Sequence, residues 1–241
     1  MRTQLTTSML TVLATNINKK IESGRFFEIS KRFIAKSLPL TEQPDEKPTM
    51  AIGIYGKDED FFTLKGIIEA VSVLCGAHTQ YERSNEPYLH PGRQALVKAN
   101  NTECGVFGEV HPAVAAAYGI DTKVYVAEIK LDVLLNINKR KTVNKPLPKI
   151  PAVERDFALL CDADIPVGNL EKAISQGAGR LLERIELFDI YQGAQIPEGK
   201  KSVAFSVYLR SNDSTLNDKE IDDISAKIIK KLESIGAELR K

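Results

Sequence analysis

The stretch KSVAFSVYLR, residues 201–210, alternates strictly: Val203, Phe205, Val207 and Leu209 point one way, and Ser202, Ala204, Ser206, Tyr208 and Arg210 the other. Period-two alternation is the mark of a strand whose sheet is covered on one face only. Working outward, ERDFALLC (154–161) reads as a strand and PVGNLEKAISQGAG (166–179) as a helix, with Pro166 at its first turn and glycines at its end. LLERIELFDIYQG (181–193) is a second strand closed by Gly193. After residue 210 a long helix starts at Asn217, where Asn217 and Glu220 have capping-box spacing and Leu216 and Ile221 occupy the staple positions. Its apolar stripe is Ile221, Ile224, Ile228, Leu232 and Ile235; Gly236 stops it, and AELRK closes the chain as a short strand. The order βαββαβ is the ferredoxin-like arrangement, with two helices on one sheet face and the other face open.

The residues before this unit read differently. Leu10, Leu13, Ala14, Ile17 and Ile21 follow helical spacing, with Gly24 expected as the cap. A strand RFFEIS (25–30), a polar loop over 37–47, a strand over 50–54 and a helix carrying Leu64, Ile67, Ile68, Val71 and Leu74 follow. A hairpin turning at Asn100-Asn101, a helix after His111-Pro112 and a strand KVYVAEIKL (123–131) complete a mixed α/β domain with an antiparallel sheet. The fold class is therefore α+β. Pro146, Pro148 and Pro151 resist helix on either side, which places the boundary between domains 1–145 and 146–241.

Composition narrows the function. The net charge of +1 argues against a protein that coats nucleic acid. Lys139, Arg140, Lys141, Lys145 and Lys149 form an acid-free run, whereas residues 150–241 carry 13 basic and 16 acidic side chains, a net of −3. A polyanion bound there is read by a patch and not by bulk attraction. Cys75, Cys104 and Cys161 are widely spaced, with no CxxC pair, and are expected as buried thiols of a cytoplasmic protein; nothing reads as a signal peptide. His78, His90 and His111 lack clustered partners, so no metal site is expected.

An open sheet face suits unstacked RNA bases, which stack on rings and bond through their edges. Ser202, Ser206, Tyr208 and Arg210 offer hydroxyls, a ring and a guanidinium, and Asp189 with Tyr191, two residues apart, adds an acceptor and a second ring. A carboxylate can accept the paired N1 and N2 hydrogens of guanine. The same fold also serves small-ligand regulatory modules.

The motifs R-D-F-A-L (155–159), F-D-I-Y (188–191), I-P-E-G-K-K-S (196–202) and T-L-N-D (215–218) resemble the anticodon-binding module that closes the bacterial phenylalanyl-tRNA synthetase β chain. Upstream, residues 1–18, RFFEIS, DFFTLKGIIEAV (60–71), PYLHPGR (87–93) and GVFGEVHPAV (105–114) resemble the catalytic-like domain preceding it. The resemblance implies an α2β2 assembly in which the α chain holds the active site, ATP and Mg2+ are used by the full assembly and not bound by this chain, and tRNA(Phe) is the partner. Residues 1–145 are then an inactive class II-like domain. In agreement, Arg25 and Glu28 are spaced R-x-x-E and no G-x-G-x-x-[ER] segment occurs. Catalytic residues are expected to be absent. The implied tRNA contacts are Asp189, Tyr191 and Ser202, to which Lys200, Lys201, Tyr208 and Arg210 are added from position and charge. Arg155 is read as a structural bridge to Glu154 or Asp156, or else as an RNA contact. Oligonucleotide-fold, editing and winged-helix-like modules of the family would precede Met1, so the start at Met1 is expected to mark a fragment or a truncated gene. The rival reading is a structural scaffold for the α chain without direct anticodon reading.

Overall fold

A computed structural model describes residues 1–137, 147–211 and 214–240. Lys139, Arg140, Lys141, Lys145 and Pro146 lie outside the described residues. The chain divides into two compact units, Met1–Thr142 and Val143–Lys241.

In the first unit, strands β1 (Gly24–Ile34), β2 (Asp45–Tyr55), β3 (Thr79–Arg83), β4 (Leu89–Ala99), β5 (Thr102–Val110) and β6 (Val124–Lys130) form one antiparallel sheet in the order β1-β2-β6-β5-β4-β3. Helices α2 (Phe61–Leu74) and α4 (Leu131–Asn136) cover one face, packing Leu64, Ile68 and Leu134 on Met50, Ile52, Ile54 and Ile129. Helices α1 (Thr6–Asn18) and α3 (Pro112–Ala117) cover the other, setting Leu5, Met9, Leu10, Leu13 and Ala115 on Ala51, Tyr55, Val124 and Val126. Covering both faces explains why β2 and β6 are buried almost throughout instead of alternating.

Several sequence expectations shift. Helix α1 ends at Asn18, with Lys20 in the left-handed region (φ 62), and Gly24 starts β1 instead of capping the helix. A Cβ at Gly24 would lie 2.5 Å from the Phe26 ring, so the glycine makes room for Phe26 to stack on Tyr55. The loop expected over 37–47 is shorter, because Asp45, Glu46 and Lys47 pair with Ile34, Phe33 and Arg32. Strand β3 and helix α4 had no clear signal. The Asn100-Asn101 turn holds as read, both residues taking positive φ (49 and 65) as a tight hairpin requires.

Of the thiols, Cys104 and Cys161 are buried but Cys75 is only half-buried. Burial pushes the Cys104 thiol from the usual 9.0 to about 11. Its folded pKa is thus raised, so the stability it lends is fully present below pH 9 and is lost as pH rises through about 11. Alkylation of the native chain at mildly alkaline pH is expected to modify Cys75 first, with Cys104 reacting only on unfolding; mass spectrometry of the labelled peptides checks the order.

In the second unit, strands β7 (Val153–Asp162), β8 (Leu182–Tyr191), β9 (Lys200–Leu209) and β10 (Glu238–Leu239) form an antiparallel sheet ordered β10-β7-β9-β8. Helices α5 (Val167–Ala178) and α6 (Asp218–Glu233) both lie on one face, burying Leu170, Ile174, Ile224, Ile228 and Leu232 against Phe157, Leu159, Val203, Phe205 and Val207. This is the βαββαβ ferredoxin-like fold. The capping box at Asn217/Glu220 is formed in both directions. Gly177 lets the helices touch: a Cβ there would lie 2.5 Å from the Ile228 Cα.

Candidate nucleic-acid interface

Residues paired across an antiparallel sheet share a face. Val203, Phe205 and Val207 are in the core, so their alternates on β9 (Ser202, Ala204, Ser206, Tyr208) face away from the helices. Tyr191 pairs with Ser202 and Asp189 with Ala204, which puts both on this helix-free face. A bulge between Leu187 and Asp189 achieves this: Leu187 opposes Phe205 on the core side, Phe188 is the extra residue, and Asp189 then opposes Ala204. Were Phe188 paired in register with Ala204 instead of bulged, every side chain beyond it would flip, and Asp189 and Tyr191 would point at the helices. Asp189 is exposed and Tyr191 is 38% exposed. Gly193 leaves space for the Tyr191 ring, since a Cβ there would collide with its hydroxyl.

The floor beside this pair is low. One row across the sheet is Asp189–Ala204–Ala158, and the next is Tyr191–Ser202–Leu160–Glu238. Ser202 is 5% exposed, so its hydroxyl forms part of the floor, 3.5 Å from Nη1 of Arg240. Arg240, just past the short last strand, thus reaches the same floor.

The other end of the face is occupied by its own contacts. Tyr208 donates its hydroxyl to Glu154 (2.8 Å), the Arg184 guanidinium lies 3.7 Å from the Tyr208 ring centroid, and Ser206 donates to Asp156 (2.6 Å). Glu154 beside it pushes the Tyr208 hydroxyl above its ordinary pKa. With Glu154, Asp156 and Glu186 there, this half is acidic and repels phosphate.

Four expected contacts need correction. Lys201 is only 8% exposed, and its ammonium donates to the carbonyls of Ala163 and Ile165 (3.1 and 2.6 Å), tying down the turn before α5; it is not a phosphate partner. Arg210 lies beyond the end of β9, its Nε and Nη2 on Glu183 (2.7 and 3.0 Å) and its Nη1 on the Ile150 carbonyl. Tyr208 is held in the acidic half described above. Arg155 bridges to no carboxylate among the described residues: it donates to the Glu154 carbonyl, and Asp156 is taken by Ser206. Lys200 stays half-exposed at the start of β9, 3.4 Å from Asp162. Replacing Lys201 with methionine is expected to cost about 1–3 kcal/mol of stability, the penalty for two stranded carbonyls. The salt dependence of RNA binding should not change, which equilibrium unfolding and a salt titration check separately.

In the first unit, Arg25 and Glu28, whose spacing departs from a class II motif, are both engaged within the chain. Arg25 pairs with Glu59 (2.8 Å) and Glu28 with Arg2. His90 and His111 serve turns, accepting from the Gly92 and Ala113 amides. No helix among the described residues is long and apolar enough to cross a membrane.

The second unit has a ferredoxin-like sheet with one helix-free face, and residues 148–240 match the family described as ferredoxin-fold anticodon binding domain. Residues 1–131 match the profile described as phenylalanyl tRNA synthetase beta chain CLM domain. The chain belongs to the phenylalanyl-tRNA synthetase β-chain family. Relatives named phenylalanine–tRNA ligase beta subunit are 42% identical in Clostridium tetani and in Clostridium acetobutylicum, and 34% identical in Symbiobacterium thermophilum, each over 100% of this chain. The chain spans about 30% of the length of these relatives.

Proposed function

We propose that this chain is the tRNA-placing, non-catalytic part of a cytoplasmic phenylalanine–tRNA ligase, in which the second unit holds the tRNA(Phe) anticodon. The observation that carries the reading is the pairing of exposed Asp189 and Tyr191 over a floor of small side chains on a helix-free sheet face. Codons UUU and UUC require the anticodon GAA, whose one guanine offers the N1 and N2 donors that a carboxylate accepts. Tyr191 supplies the stacking surface and Ser202 the hydroxyl at the floor. Lys200 is the flanking phosphate partner.

The first unit is the scaffold for a partner α chain, with which it forms an α2β2 assembly. Its apolar surface supports this: Phe27 and Ile29 on β1 are 73% and 61% exposed, on the sheet face that carries α2, and Phe62 of α2 is 72% exposed. Exposed apolar side chains gathered on one face mark a surface that another chain covers. ATP and Mg2+ act in the α chain, and this chain lends position instead of chemistry. Charging of tRNA(Phe) by the assembled ligase, with and without alanine at Asp189 and Tyr191, tests the reading. Unchanged efficiency would leave the scaffold role alone.

A further inference from the structure

We propose that Arg240 is a second specificity residue of this site, reading the O6/N7 edge of the guanine whose N1/N2 edge is held by Asp189. The inference rests on the anticodon reading above and adds a residue and a contact to it.

Three features of the face lead there. The first is register. Glu238 pairs with Leu160 and Leu239 with Leu159, and the Arg240 amide continues the ladder to the Ala158 carbonyl (2.8 Å). Arg240 therefore follows Ala158 onto the helix-free face and completes the row Asp189–Ala204–Ala158–Arg240. Its side chain reaches back over the sheet, because Nη1 lies 3.5 Å from Ser202 on β9, the residue beside Tyr191.

The second feature is charge. Arg184 is paired with Glu186 (2.8 Å) and Lys200 with Asp162 (3.4 Å). Arg240 has no carboxylate within 4.0 Å among the described residues, and Asp189 has no cation within that distance. The two residues thus stand at the ends of one row, the Arg240 guanidinium reaching across to Ser202 in the next row without meeting the Asp189 carboxylate. The backbones that carry them are three strand spacings apart, about 14 Å.

The third feature is the floor between them. Ala158 and Ala204 project nothing beyond Cβ, so a flat ring can lie there. A ligand that satisfies both ends needs two donors on one edge and two acceptors on another. Guanine has N1–H and N2–H on the first and O6 and N7 on the second. Adenine places an amino donor beside N7, and cytosine is too small to carry two such edges. An arginine fork on O6 and N7 is the commonest specific protein contact to guanine. RNA modules use both base edges once the base is unstacked.

The test uses the full 241-residue chain and synthetic GAA anticodon stem–loops, with affinity measured by fluorescence anisotropy at low salt. Arg240→Ala should weaken the guanosine stem–loop roughly 5- to 140-fold, the range of one bidentate base contact. Replacing that guanosine with 7-deazaguanosine, which lacks the N7 acceptor, should weaken the wild type but leave Arg240→Ala unchanged. Arg240→Lys keeps the charge without the fork and should remain weak. Equal loss by Arg240→Ala on both stem–loops, or no loss, overturns the inference, the first outcome pointing to a phosphate contact. Unchanged thermal midpoints exclude misfolding. Inosine, which lacks the 2-amino group, and Asp189→Asn isolate the underlying reading. If neither of these alters binding the anticodon reading itself fails, whereas if both do and Arg240→Ala does not, only the present inference fails.

Discussion

Replacing Glu128 with alanine is expected to destabilise the first unit by about 3–5 kcal/mol, the cost of removing one member of a buried charged pair. Glu128 lies on β6, 9% exposed. Its Oε2 accepts from the Leu5 amide (2.8 Å), the Thr6 amide (3.1 Å) and the Thr6 hydroxyl (2.9 Å), and its Oε1 lies 3.4 Å from Arg32. Helix α1 has no side-chain cap of its own at Leu5, so a carboxylate from a distant strand supplies it. Loss of that carboxylate strands two amides, a hydroxyl and a guanidinium, and loosens the helix that buries Met9, Leu10 and Leu13. A loss of this size is a large fraction of the 5–15 kcal/mol typical of a domain. The chain contains no tryptophan, so circular dichroism through a urea transition is the suitable readout. Glu128→Gln, which keeps an acceptor of the same shape, should lose less. A change under about 1 kcal/mol for the alanine variant would mean that water replaces the carboxylate and the cap is dispensable.

Alanine at Tyr191 is expected to lower tRNA(Phe) affinity by about 1–3 kcal/mol, the worth of one stacked base. Asp189→Ala should cost a similar amount. The double variant should fall short of the sum, because both side chains hold the same base and removing either frees it. Tyr191→Phe should retain most of the affinity, since the ring and not the hydroxyl carries the stacking. Asp189→Asn should lose discrimination between guanine and other bases more than it loses binding. Steady-state charging with limiting tRNA, and direct binding of anticodon stem–loops, read these effects.

The second unit was legible because its signals are local. Alternation in residues 201–210, the capping box at Asn217 and the glycine after α6 each follow from neighbouring residues, and together they specify βαββαβ. The first unit was less legible. Strands covered on both faces lose alternation, and Glu128 reads as one outward residue in VYVAEIK although it caps a helix more than a hundred residues away. At the site, the pairing of Asp189 with Tyr191 was visible as spacing. The bulge that turns them outward was not, its trace being two adjacent apolar residues, Leu187 and Phe188. Charge was the poorest guide. Lys201 and Arg210 read as free cations, but one is buried on carbonyls and the other is engaged by Glu183 and the Ile150 carbonyl. Arg240, just past a two-rung edge strand near the chain's end, becomes visible only when the register brings it beside Ala158 and Ser202.

Chemical-shift mapping of the chain during titration with the GAA stem–loop tests the central claim most directly. The amides of Asp189, Tyr191, Ser202, Ala204 and Ala158 should move together, with α5 and α6 unaffected. Shifts centred instead on the outward lysines of α6 (Lys227, Lys230 and Lys231), with β8 and β9 silent, would contradict it.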